Sequence, residues 1–224
     1  GRRNLIIGID FGTSTTKVVW HDTSNDDYEV MNSWDSLQQG IDAALLPSEL
    51  AVHDGRVYLG FDGTRIPNAS LRIPWIKICV LCEVNPSVCR QCGHAKSRGK
   101  ISVRHDRVVS ARTLACALLS WVFSQVEKAV RKRFPGETLH LTWNVGCPID
   151  HMDKTHALRS YETMAQAAWE LRDLATNPMP LEYLKQFEQG LASCKIPPPK
   201  QRTVYVRPET HAGIMAFLQS PHAD

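Results

Sequence analysis

The sequence predicts an α/β fold, and two observations carry the prediction. The chain opens on two apolar, β-branched stretches separated by a Gly/Ser/Thr-rich turn, the pattern of a hairpin of core strands. From Ser110 onward the apolar period lengthens to that of a helix, and helix, strand, helix, strand and helix then alternate, as in sheets covered by helices.

In order, Leu5 to Ile9 and Val18 to Trp20 form the opening hairpin, and Tyr28 to Ser33 supplies a third strand. Leu46 to Val52 and Arg56 to Gly60 are two more strands, joined at Asp54-Gly55, a dipeptide suited to tight hairpin turns. Pro74 to Lys77, a cysteine cluster and a basic loop from Lys96 to Lys100 follow. Leu114, Leu118, Trp121, Val122, Val126 and Ala129 recur at helical spacing, with Ser110 as N-cap and Phe134-Pro135-Gly136 as the stop. Arg131-Lys132-Arg133 fall in the last turn, where positive charge complements the helix dipole. Thr138 to Val145 is a core strand ended by Cys147-Pro148. A helix spans Asp153 to Leu174, with Leu158, Tyr161, Ala165, Ala168 and Leu171 on one stripe. A shorter helix starts at Pro180, Pro197-Pro198-Pro199 is a loop, Thr203 to Val206 is the last strand, and Pro208 opens a last helix through Met215 and Leu218.

The 224 residues, 43% apolar and 22% charged, suffice for a sizeable core. A net charge of +3 does not argue for nucleic acid or a membrane surface, and no apolar run reaches the length of a membrane span. The basic run near residue 132 lacks interleaved aromatics, so neither nucleic acid nor membrane is expected as a partner. Seven cysteines, an odd number, argue against a complete disulfide framework and for an intracellular, cytoplasmic setting. Cys116, Cys147 and Cys194 lie in or near apolar segments and read as plain core or surface thiols.

Two stretches carry chemistry. The turn after Asp10 brings several N–H groups together without bulk at Gly8 or Gly12, an arrangement that suits an anion, while the Asp10 carboxylate can hold a hydrated Mg²⁺ through its waters. Cys79, Cys82, Cys89 and Cys92 form C-x₂-C-x₆-C-x₂-C, the ligand set of a closed structural Zn²⁺ site. An Fe–S cluster, two disulfides and coincidence are the alternatives, although the spacing fits neither ferredoxin pattern. His94 follows directly, as a substitute ligand or, more simply, an outer neighbour.

The phrase from Ile7 to Val18, Ile-Gly-Ile-Asp-Phe-Gly-Thr-Ser-Thr-Thr-Lys-Val, closely resembles the first phosphate motif of the actin, Hsp70 and sugar-kinase superfamily. Thr142 to Pro148 is similar to the Hsp70 strand ending in Val-Pro-Ala. Val206 to Gly213 looks like the family's Asn-Glu-Pro-Thr-Ala-Ala segment, with Glu and Pro partly reversed. The texture is nearest to a long, divergent Hsp70-like branch with fungal members. The resemblance covers most of the chain, and only the first motif is specific. It implies an RNase H-like lobe over residues 1–224, with a small β-containing subdomain at 36–109 and a zinc-binding insertion at 78–100.

The resemblance also implies that Gly12, Thr13, Ser14 and Thr15 touch the β- and γ-phosphates of ATP or ADP, and that Asp10 organises Mg²⁺. Lys77 would polarise the γ-phosphate and the attacking water, and Glu209 would stand near the metal waters. Lys17 and Lys77 have a second reading as surface lysines, and Glu209 as a residue favoured at a helix N-terminus. No stretch resembles the superfamily's second phosphate hairpin or its adenosine motif. The expectation is therefore the first lobe of a longer Hsp70-like ATPase, incomplete as an enzyme, with weak nucleotide affinity. Its partners would be the C-terminal lobe, protein clients and co-chaperones. A sugar-kinase-type lobe, with Asp150 or Asp153 as base, and a zinc-stapled interaction module of vestigial ATPase ancestry are the alternatives.

Overall fold

β1 (Arg2–Phe11) alternates without interruption: Leu5, Ile7, Ile9 and Phe11 are buried, while Ile6, Gly8 and Asp10 point to the other side. It turns at 12–14 into β2 (Thr15–Asp22) and then β3 (Asp27–Val30), an antiparallel meander. The computed structural model describes residues 1–35, 37–84, 99–148 and 155–208. β4 (Leu46–Pro47) pairs with the start of β2. β5 (Leu50–His53) and β6 (Arg56–Leu59) form the hairpin expected at Asp54-Gly55, both of whose φ angles are positive, as a type I′ turn requires.

After α1 (Phe61–Arg65), β7 (Leu71–Ile73) joins β5, and α2 (Ile76–Val84) carries Lys77 and the first two clustered cysteines. β8 (Lys100–Arg104) and β9 (Arg107–Ser110) make a separate hairpin that the sequence reading did not foresee. α3 (Ala111–Arg133) is the expected long helix. Ser110 accepts from Thr113 N at 3.1 Å as N-cap, and three basic residues lie in its last turn.

β10 (Thr138–Cys147) runs parallel to β1, with Ile9 opposite Val145. α4 (Thr155–Glu170) leads to β11 (Met179–Pro180), which returns to pair with β6, so a strand from beyond the expected subdomain range completes the small sheet. α5 (Leu184–Ser193) precedes β12 (Val204–Pro208), parallel to β10. The molecule is thus a mixed α/β protein. The main sheet runs β12-β10-β1-β2-β3 and the smaller one β11-β6-β5-β7.

The core lies on the face of the main sheet that holds Ile7, Ile9, Trp143 and Val145. Phe123 of α3 meets Trp143 edge-on at 4.8 Å between ring centroids, and Trp169 of α4 lies 5.2 Å from the same ring. Both helices therefore cover this one face. They approach closely enough for the buried Ser120 hydroxyl to donate to Ala168 O at 2.8 Å. Among the described residues no helix is long and apolar enough to cross a membrane. The expected last helix after Pro208 lies outside the described residues.

Candidate functional site

The turn after Asp10 is tight because its first residue has no side chain. Gly12 N faces both Asp10 O at 3.0 Å and Thr15 O at 3.1 Å. A Cβ added at Gly12 would stand 2.3 Å from Thr15 O, a backbone atom. From outside the hairpin, Ser48 N donates to Ser14 O at 2.9 Å, and the Thr16 and Ser48 hydroxyls meet at 2.9 Å. The turn is thus fixed by backbone contacts, while Thr13 and Ser14 remain exposed and Thr15 half-buried. Asp10 sits within β1, half-buried and opposite Lys17, rather than at the tip of the turn.

The parallel register aligns the ends of three strands. β1 ends at Phe11 and β10 at Cys147, which pairs with Pro208 at the end of β12. In open α/β sheets ligands settle outside such carboxyl ends. Here this edge gathers Asp10, the 12–15 turn, Gly146 and Cys147.

Lys77 belongs to the same edge. It lies in the first turn of α2 and is only 3% exposed, which overturns its reading as a surface lysine. Burial disfavours its ammonium and pulls its pKa down to about 8, with Asp10 and then Cys147 as the charges that oppose the shift. Both of those groups stand at the carboxyl ends of the strands. Burial likewise pushes the Cys147 thiol up to about 11 against the pull of Lys77. The Tyr161 hydroxyl of α4 is raised by burial, and secondarily by Cys147. Sequence reasoning treated Cys147 as an ordinary thiol. The one signal of its place was its position at the end of a core strand.

Cys79 and Cys82 are one turn apart on α2, 1% and 0% exposed. Cys89, Cys92, His94 and Glu209 lie outside the described residues, as do Asp150 and Asp153. Among the described residues, no three His, Cys, Asp or Glu side chains are grouped to hold a metal. Directly after Cys82, Glu83 ties α2 to the start of α3. Its carboxylate accepts from Arg112 N at 3.1 Å and pairs with Arg112 Nε at 3.1 Å. Burial raises the Glu83 carboxyl, and Arg112 restrains the shift. Gly99, at φ +77°, passes so close that a Cβ there would lie 2.2 Å from Glu83 Cγ.

Chemically, the edge offers a rigid hydroxyl-rimmed turn, a carboxylate and a buried amine, a set suited to a polyanion that brings a cation. Set against models of known protein families and against curated proteins, the chain matches none.

Proposed function

We propose that the chain is the first, phosphate-binding lobe of an Hsp70-like ATPase, built on an RNase H-like core. The observation that supports this best is the convergence of Asp10, the Gly12 turn and buried Lys77 at the carboxyl ends of β1 and β10. The layout agrees with it: three antiparallel strands, then β10 and β12 parallel to β1, with α3 before β10 and α4 and α5 between β10 and β12, in the order β12-β10-β1-β2-β3.

The residues present fit Mg²⁺·ATP. A side chain at Gly12 would strike Thr15 O, so glycine keeps the turn tight, and phosphate oxygens would meet the turn's main-chain N–H groups and the Thr13, Ser14 and Thr15 hydroxyls at its rim. Asp10 would hold the metal's waters, and Mg²⁺ when bound would neutralise phosphate charge. Lys77 would donate to a terminal phosphate oxygen, its charge strengthened by the anion it meets. Glu209, outside the described residues, would be the residue near the metal waters. The remaining lobe would supply the second phosphate clamp and the adenosine contacts, and clients and co-chaperones would engage the whole protein.

A structural Zn²⁺ is part of the same proposal. Cys79 and Cys82 lie one turn apart on α2, and Cys89 and Cys92 of the same sequence cluster would provide the other two ligands of a closed tetrahedral site. The metal would stabilise rather than catalyse.

The test is calorimetric titration of the 224-residue chain with Mg²⁺·ATP, beside a turnover assay. The expected result is weak binding, abolished by Asp10→Ala, with no multiple-turnover hydrolysis. Sustained hydrolysis by this chain, lost in Asp10→Ala, defeats the half-site reading. Absence of binding at millimolar nucleotide defeats the phosphate reading.

A further inference from the structure

Along β6, Val57 and Leu59 turn their backbone N–H and C=O groups away from β5, as alternate residues of an antiparallel pair do. Val57 meets Met179 of β11, and beyond it the buried Leu59 meets a side chain instead of a strand. Leu59 N donates to Asn177 Oδ1 at 2.9 Å, and Asn177 Nδ2 donates to Leu59 O at 2.9 Å. A carboxamide carries a donor and an acceptor together, as a stretch of backbone does, and this one continues the ladder where β11 has no residue to offer. The same Nδ2 reaches Asp62 Oδ2 at 3.0 Å. At the other end of the seam, Leu181 N donates to Gly55 O at 2.9 Å, and Arg107 Nη1 donates to Leu181 O at 2.9 Å.

The bracketed end of β6 is the end that leads to the Gly12 turn. Leu59 faces Leu50 across the hairpin, and Gly60 N donates to Glu49 O at 2.9 Å. The residue before Glu49 is Ser48, which holds Ser14 O and the Thr16 hydroxyl. Gly60, at φ +59°, passes so close to Leu46 that a Cβ there would lie 2.6 Å from Leu46 Cδ1, and Leu46 pairs with Thr16. We propose that Asn177 is a positioning residue for the 12–15 turn, acting through Leu59 and Ser48. That the turn so held receives phosphate rests on the reading above; that Asn177 holds it does not. Without the amide, the N–H and C=O of buried Leu59 lose their partners and regain them only by moving toward water. Ser48 then moves with the end of the hairpin, and the turn loses its support from outside.

Amide hydrogen exchange on the 224-residue chain tests this, beside calorimetric titration with Mg²⁺·ATP. In Asn177→Ala the Ser48 and Gly12 amides should exchange at least ~10-fold faster than in wild type, while those in the middle of α3 stay within about twofold. Asp62→Ala removes only the third bond of the amide and should leave both sets within about twofold of wild type. Asn177→Asp keeps an acceptor for Leu59 N but has no N–H for Leu59 O at neutral pH. It should reproduce the Asn177→Ala pattern, and it decides the matter if Asn177→Ala does not fold. Mg²⁺·ATP affinity should fall by about tenfold in the same variants, through displacement of the turn. Wild-type exchange at Ser48 and Gly12 in both Asn177 variants overturns the proposal. So does an acceleration equally large in α3, which is a loss of global stability, or unaltered affinity in a variant whose turn has loosened. A wild type that binds no nucleotide defeats the phosphate reading alone, and the exchange rates still decide the role of Asn177.

Discussion

Gly12→Ala isolates the turn on which the phosphate reading stands. The backbone at Gly12 is not in the left-handed region, so an alanine is permitted there by its φ angle and obstructed only by space. From 2.3 Å, the Thr15 carbonyl must retreat by roughly 1 Å or more to reach ordinary contact. That displacement also breaks the bond from Gly12 N to Thr15 O, now 3.1 Å. Overpacking costs about 1–3 kcal/mol and the lost hydrogen bond about 1 kcal/mol, and the stiffer unfolded chain returns about 0.4–1 kcal/mol. The net loss is about 1–3.5 kcal/mol, or roughly 2–14 °C in Tm for a chain of this size. Urea unfolding followed by tryptophan fluorescence measures it, with Mg²⁺·ATP titration on the same samples. Thr13→Ala is the control: Thr13 is exposed, so stability should stay within about 0.5 kcal/mol while nucleotide binding weakens. A Gly12→Ala protein within about 0.5 kcal/mol of wild type would refute the turn geometry.

Lys77→Ala, in a protein carrying both lobes, should slow ATP hydrolysis while leaving ATP binding nearly intact, because the amine acts on charge that develops in the transition state; unchanged turnover removes Lys77 from the chemistry. Protein purified under reducing conditions should contain one zinc per chain by elemental analysis, and Cys82→Ser should lower that stoichiometry; metal-free wild type refutes the site. Burial alone would raise the Asp22 carboxyl, but Ser24 N–H and Arg3 outweigh it and hold the group below the usual range. A depressed carboxylate adds stability that is present above its unfolded pKa of ~3.9 and is lost as pH falls through the folded value. Asp22→Asn should therefore cost about 1 kcal/mol at neutral pH, and its stability should converge on wild type as pH falls through the depressed folded pKa; a pH-independent difference would contradict this.

Local signals were legible. Ser110 could be read as a cap because a hydroxyl there precedes a helical period, and Asp54-Gly55 because few dipeptides accept two positive φ angles. α2 was not legible as a helix: Ile76 to Val84 is apolar nearly all round, so burial on several sides erases the period that marks a surface helix. β11, two residues long, owes its existence to β6 rather than to its own sequence. For the candidate site, Asp10 and the Gly12 turn could be read from one motif. The burial of Lys77 arises from the seating of α2, and the alignment of Asp10 with the end of β10 from the register of β10 on β1. Neither leaves a mark in local sequence. The Glu83–Arg112 tie is of the same kind, a contact between residues far apart in the chain.

The pairing of β1 with β10 sets the order in which the chain can be made. Arg2 waits for Thr138, so the central strand is synthesised roughly 136 residues before its parallel neighbour. At ~5–20 residues per second, that is on the order of 10–30 s on the ribosome. Over that interval the meander of β1, β2 and β3 stands with its β1 edge unpaired and a bare apolar flank, Leu5, Ile7, Ile9 and Phe11 among it. Such an edge recruits other strands. The nascent protein therefore carries that exposed edge until β10 emerges, and slow translation between β3 and β10 prolongs its exposure.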